Sequence, residues 1–141
     1  MRISREEVYC QVAEIFAKRG TCQRLQVGCV AVRDGRIIAT GYNGSLTTDR
    51  FFEYDKCGCD ISKPCEKAIH AEANLIAYAA KHGIPLHKAN LYVTHSPCLK
   101  CAELIIQSGI DQVYYGQEFR DNKGLKLLTD NGIPIMQYGK K

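Results

Sequence analysis

The sequence predicts a three-layer α/β/α sandwich, a five-stranded mixed sheet with helices on both faces. Three observations carry this expectation. Segments with apolar residues at helical spacing alternate with short β-rich runs. Two early β-rich runs are separated only by Asp34-Gly35, a two-residue turn that forces antiparallel pairing. The later runs are separated by helical segments, the connection that parallel strands require. The 141 residues fit one domain spanning 1–141, large enough to bury about two-thirds of the unfolded surface.

Each element follows from its own pattern. Val8, Val12, Ile15 and Phe16 recur as one face of a first helix, which Gly20 closes. Val27 to Arg33 and Arg36 to Tyr42 form the hairpin strands. Ile69, Ala73, Ile76 and Ala80 make the stripe of a second helix, ended by His82-Gly83 with Pro85 beyond. Ala89 to Val93 reads as a central strand, and Ala102, Ile105 and Ile106 line a third helix that stops at Gly109. Gln112 to Tyr115, a helix around Leu125 to Asn131, and Ile133 to Gln137 complete the chain. There is no repeat, low-complexity tract or linker.

Chemistry concentrates in His70-Ala71-Glu72 and Pro97-Cys98-Leu99-Lys100-Cys101. His70, Cys98 and Cys101 offer one nitrogen and two thiolates, three of the four positions of a tetrahedral zinc, with the fourth left for water. Glu72 is then free to carry protons. Cys98 and Cys101 lie three residues apart, on one face of a first helical turn that Pro97 can introduce, where the helix dipole favours thiolates. His70 and Glu72, two apart, can both reach one centre only near a helix start. Both motifs are therefore expected to open helices whose N-termini face each other, just past strand ends, with the metal at the edge of the sheet.

These motifs resemble those of the zinc-dependent nucleobase deaminases, whose signature is H-x-E followed by P-C-x-x-C. Val27-Gly28-Cys29-Val30-Ala31-Val32, Gly41-Tyr42-Asn43-Gly44, His70-Ala71-Glu72-Ala73-Asn74 and Leu91-Tyr92-Val93-Thr94-His95-Ser96-Pro97-Cys98 are similar to the deoxycytidylate deaminase branch, with coverage from about Arg19 to Ile135. The resemblance implies a cytidine deaminase-like fold and zinc-dependent hydrolysis of dCMP to dUMP and ammonia, supplying dUMP for thymidylate synthesis. It also implies that Ala71 and the Ser96-Pro97 segment hold the base edge and Asn43 the sugar. Asn43 is equally a natural turn residue. Arg24 and Arg120 stand where relatives keep basic residues near the phosphate, or are solvated surface arginines. Tyr115 is a wall of the pocket or a core tyrosine. His82, His87 and His95 read as surface or loop residues, with His95 the one near the motif.

Eight cysteines would suit a disulfide framework in a secreted chain, but a metal reading accounts for more of them. Some relatives carry a second, structural zinc, and the resemblance places Cys22, Cys57, Cys59 and Cys65 there. Cys10 and Cys29 are expected as small core residues. The N-terminus lacks an apolar signal and the apolar runs are too short to span a bilayer, so a cytoplasmic location is expected and no membrane partner. A net charge of +4, with dispersed basic residues, argues against a tRNA-gripping adenosine deaminase and against nucleic-acid partners. The remaining alternatives are a bifunctional dCMP/dCTP deaminase and a non-catalytic nucleotide-binding relative, against which Glu72 argues. The resemblance implies a homo-oligomer, commonly a hexamer, with dCTP and dTTP as allosteric effectors. The chain ends soon after its fifth predicted strand, so no C-terminal extension that could modify assembly is expected.

Overall fold

The computed structural model describes residues 1–22, 24–46, 62, 65 and 68–139. The first helix, α1 (Arg5–Ala17), is capped by Ser4, whose side chain accepts the Glu7 N–H at 3.1 Å. Its buried face is Tyr9, Cys10, Ala13 and Ala17, whereas Val8 and Ile15 of the expected stripe are exposed. The reason lies in the strand beneath. A Cβ on Gly28 would fall 2.2 Å from the Ala13 carbonyl oxygen and 2.4 Å from the Ala17 nitrogen, so helix and strand meet backbone to backbone. Only small residues fit that contact, and the larger apolar side chains move to the rim.

Strands β1 (Gly28–Arg33) and β2 (Arg36–Tyr42) pair antiparallel around Asp34 and Gly35, both at positive φ, as the hairpin turn demands. The sheet has the order β2-β1-β3-β4-β5, with β3 (Asn90–His95), β4 (Gln112–Gln117) and β5 (Ile135–Gln137). β3 runs antiparallel to β1 and parallel to β4, and β4 runs parallel to β5. The expected mixed sheet is therefore present, and the nine helices and strands among the described residues fall within a few residues of the expected ends.

Alternation along the strands separates two cores. Cys29, Ala31, Leu91, Val93, Val113 and Tyr115 face α2 (Ala71–His82), α3 (Leu99–Ser108) and α4 (Lys123–Asp130). Val30, Val32 and Tyr92 face α1, where Tyr92 stacks on Tyr114 with ring centroids 4.4 Å apart. The three layers are thus a lone α1, the sheet, and three helices on the opposite face. Tyr115 belongs to the larger core: on β4 it shares a face with Val113 and lies buried, and it is absent from the lining of the site cavity.

The second helix is phased differently from its apolar spacing. Ala71, Glu72, Leu75 and Ala79 are its buried residues, Ile69 precedes the helix, and Ala80 is exposed. Turning Glu72 inward rotates the expected stripe by about one residue, or about 100°. Glycine permits the close seat: a Cβ on Gly41 would fall 2.5 Å from the Ala71 carbonyl oxygen, so β2 touches the first turn of α2 directly. Asn74 reinforces this by donating its side-chain N–H to the Tyr42 carbonyl at 2.8 Å. Gly44 and Ile69 exchange backbone hydrogen bonds of 3.0 and 2.7 Å, placing His70 beside the end of β2.

Candidate functional site

β3, the middle strand, ends at His95 and leads through Ser96 and Pro97 into α3. The site sits at this C-terminal end, past the middle of the sheet rather than at an edge strand. His70 is the N-cap of α2 and Cys98 the N-cap of α3, with Cys101 in the first turn of α3. The helix starts face each other as expected: His70 Nδ1 lies 3.5 Å from Cys98 Sγ and 3.4 Å from Cys101 Sγ. Ligand atoms of the three residues lie within 4.8 Å of one another, and they are the one such group of three among the described residues.

The spacing tests whether a metal would fit. Zinc–sulfur bonds of about 2.3 Å and zinc–nitrogen bonds of about 2.0–2.1 Å, opened to the tetrahedral angle, separate sulfur and nitrogen by about 3.5 Å. The donor separations match. Their protons tell the same story. Hydrogen bonds from Cys101 and then His70 bring the Cys98 thiol down to about 4, while the hydrogen bond to Cys98 and burial push Cys101 up. The hydrogen bond to Cys98 raises His70. Three groups competing for protons around one point form a donor set suited to a cation.

Glu72 stands in the first turn of α2, 4% exposed, and is not needed as a ligand. Burial pushes its carboxyl up to about 7. A carboxyl balanced near neutrality can both accept and return a proton.

A cavity of about 390 Å³ opens over this group, within the range of small-molecule sites. It is lined by His70, Ala71, Glu72 and Cys98 at the two helix starts, by Arg24, Leu25, Val27 and Asn43 around the start of β1 and the end of β2, and by His95, Ser96, Phe119 and Asp121 around the ends of β3 and β4. Ser96 links β3 to the segment after β4: its Oγ accepts the Phe119 N–H at 2.9 Å, and its own N–H is donated to the Gln117 carbonyl at 2.8 Å. Asn43 is buried, and its amide is largely committed to the chain. Oδ1 accepts the Val27 N–H at 2.8 Å, and Nδ2 donates to the Leu25 carbonyl at 2.7 Å, leaving one N–H.

Other expected residues lie elsewhere or outside view. Arg24 is exposed and lines the cavity, whereas Arg120 is exposed and absent from the lining that its neighbours Phe119 and Asp121 join. His82 and His87 are exposed, and Cys10 and Cys29 are buried, as expected. Cys22 and Cys65 line the same cavity, and Cys65 Sγ accepts the Ala68 N–H at 3.4 Å. Cys57 and Cys59 lie outside the described residues. Phe119 was missed by the sequence reading. The one available signal was an aromatic residue inside the polar run Gln117-Glu118-Phe119-Arg120-Asp121.

The sequence pattern of the cytidine and deoxycytidylate deaminase zinc-binding region matches residues 3–117. The chain belongs to this deaminase family. Among its relatives, ComE operon protein 2 of Bacillus subtilis (strain 168) is 39% identical over 96% of the chain and 72% of its own length. The deoxycytidylate deaminase of Saccharomyces cerevisiae is 35% identical over 98% of the chain, which spans 46% of that larger protein. Among solved structures, the dCMP deaminase of cyanophage S-TIM5 in complex with dCMP and dUMP superposes with a TM-score of 0.86 at 31% identity, covering 97% of this chain and 98% of that one. The cytidine deaminase-like fold and the zinc-binding character of the family thus agree with the His-Cys-Cys group in the cavity.

Proposed function

We propose that this deaminase hydrolyses dCMP to dUMP and ammonia, with His70, Cys98 and Cys101 holding one catalytic zinc and Glu72 moving the protons. The observation that carries it is the placement of a buried carboxyl beside three donors at zinc spacing, at a nucleotide-sized cavity. When bound, zinc supplies Lewis acidity that makes water a nucleophile near neutral pH. Glu72 takes one proton from the attacking water and delivers it to ring N3, then takes the second from the new C4 hydroxyl and delivers it to the amine, so that the C4–N bond breaks, ammonia leaves and the C4 carbonyl forms.

The walls support binding of cytosine. Ala71 is the first residue of α2, so its N–H has no partner within the helix and is free to donate to the ring. Ser96 has already donated its N–H and Pro97 has none, and the Pro97 carbonyl faces Gly124 of α4, so the backbone acceptor assigned to the base is the Ser96 carbonyl. Carbonyls suit an amino group, which is what distinguishes cytosine from uracil at C4. The remaining N–H of Asn43 is assigned to the sugar, and Arg24 to the phosphate.

The proposal also takes residues 1–141 as one catalytic domain and places the protein in the cytoplasm, supplying dUMP for thymidylate synthesis. No helix among the described residues is long and apolar enough to cross a membrane. Homo-oligomerisation, as a hexamer, and control by dCTP and dTTP rest on the family alone. A second, structural zinc on Cys22, Cys57, Cys59 and Cys65 is supported by Cys22 and Cys65 lining one cavity.

Ammonia release from dCMP, dCTP, dCDP, deoxycytidine and CMP tests the function, with Glu72→Ala as the comparison. The expected result is turnover of dCMP that falls by about 10²–10⁴-fold in Glu72→Ala with its zinc still bound. A zinc-loaded wild-type protein that turns over none of these substrates overturns the reading.

A further inference from the structure

The cavity wall contains a histidine that the deamination mechanism leaves unused. His95 ends β3, and its ring stacks on Phe119 with centroids 5.4 Å apart and planes 18° from parallel. Its tautomer can be read from its neighbours. Thr94 is buried, and its Oγ1 accepts the Gly28 N–H at 3.2 Å. The hydroxyl proton then needs an acceptor of its own, and His95 Nδ1 lies 2.9 Å away. With Nδ1 accepting, the ring proton sits on Nε2. Burial lowers the affinity of the ring for a second proton. A proton added at Nδ1 would also evict the Thr94 hydroxyl proton from the acceptor it has among the described residues.

Nε2 therefore carries a hydrogen in the neutral ring. It has no protein partner among the described residues, and no unpaired side-chain nitrogen or oxygen there is sealed from solvent. His95 lines the cavity together with Phe119 and Arg24. The stack fixes the ring plane and the threonine fixes the tautomer, so a neutral donor is held ready in the lining of the cavity that Arg24 also lines.

We infer that His95 is a specificity-determining residue, its Nε2–H donating to an oxygen of the nucleotide's sugar–phosphate, with the phosphate as the expected acceptor. This inference rests on the deaminase reading above and assigns a contact within the same cavity.

The test compares wild type, His95→Leu and His95→Gln on dCMP, on deoxycytidine and on 2′,3′-dideoxycytidine monophosphate. Leucine removes the donor, whereas a glutamine amide can restore an N–H at similar reach. Wild-type turnover of dCMP comes first, and its absence defeats the deaminase reading rather than this one. Given turnover, His95→Leu should raise KM for dCMP by about tenfold with kcat changed much less, as for loss of a hydrogen bond to a charged group. His95→Gln should recover most of the loss, and deoxycytidine should feel no penalty. A penalty shared by dCMP and deoxycytidine but absent from the dideoxy nucleotide moves the acceptor to the 3′-hydroxyl and keeps the inference. Equal KM values across all variants and substrates overturn it, as does a loss confined to kcat.

Discussion

Burial lowers the pKa of His95 from its ordinary value near 6.5, so in mild acid the unfolded chain binds a proton that the folded ring refuses. Stability from this residue is therefore complete above about pH 6.5 and is lost as the pH falls through the folded value. The stability that wild type holds over His95→Gln in urea unfolding should shrink as the pH falls below about 6.5, while the raised Glu72 and His70 add the opposite slope to both proteins alike. Identical slopes in the two proteins would mean that the ring titrates as it does when unfolded. A second residue-scale prediction concerns Asn43, whose amide joins Val27 and Leu25 whether or not a sugar is present. Asn43→Ala leaves a buried N–H unpaired and should cost about 1–3 kcal/mol in urea unfolding without any substrate. A purely ligand-binding asparagine would leave stability untouched. The contrast shows what was legible at this scale. His70, Glu72, Cys98 and Cys101 can be read because their chemistry depends on spacing along the chain. Phe119 and the clamp of Asn43 cannot, because their partners arrive from strand-flanking segments distant in sequence.

Two glycines set how closely the elements carrying the site approach one another. A Cβ on Gly124, in the first turn of α4, would fall 2.1 Å from the Pro97 carbonyl oxygen and 2.8 Å from backbone atoms of Cys98. Neither group can yield by turning a side chain. Gly124→Ala must therefore displace either α4 or the segment that presents Cys98. It should lower stability by about 1–3 kcal/mol and weaken zinc retention in a chelator competition. Lys123→Ala, one residue earlier and exposed, serves as the control and should change neither. If Gly124→Ala melts and holds zinc like wild type, α4 does not position the metal ligand. The same close packing explains the two helices whose inward faces were misread. In α1 the contact with Gly28 selects Ala13 and Ala17 over Val8 and Ile15, and in α2 the chemistry turns Glu72 inward at the cost of the apolar stripe. Element identity was readable from period and turn signals. Phase was not, because bulk stops predicting burial where backbones touch.

At the scale of the whole molecule, the proposed metal ties together the starts of α2 and α3, two helices that also pack against each other on one face of the sheet. His70 is positioned by β2, through Gly41, Asn74 and the Gly44–Ile69 pair, and the cysteines by the end of β3 and by α4. The mixed topology was legible from Asp34-Gly35 and the helical crossovers, and it is this topology that brings the two helix starts to one end of the sheet. Zinc binding there must also be folding free energy, since the three donors converge only in the folded chain. Free zinc at about 100 times its Kd should add about 2.7 kcal/mol, a rise in Tm of roughly 10 °C over chelated protein. The gain should be local in hydrogen exchange. Amides in the first turns of α2 and α3 should lose protection on chelation well before those of α1, which packs on the opposite face against Val30, Val32 and Tyr92. Cys101→Ser should abolish the zinc-dependent shift while leaving the α1 protection of the folded protein in place. Loss of α1 protection in step with the helix starts would mean that the metal holds the entire fold together, and an unchanged Tm would mean that the donor set binds no zinc.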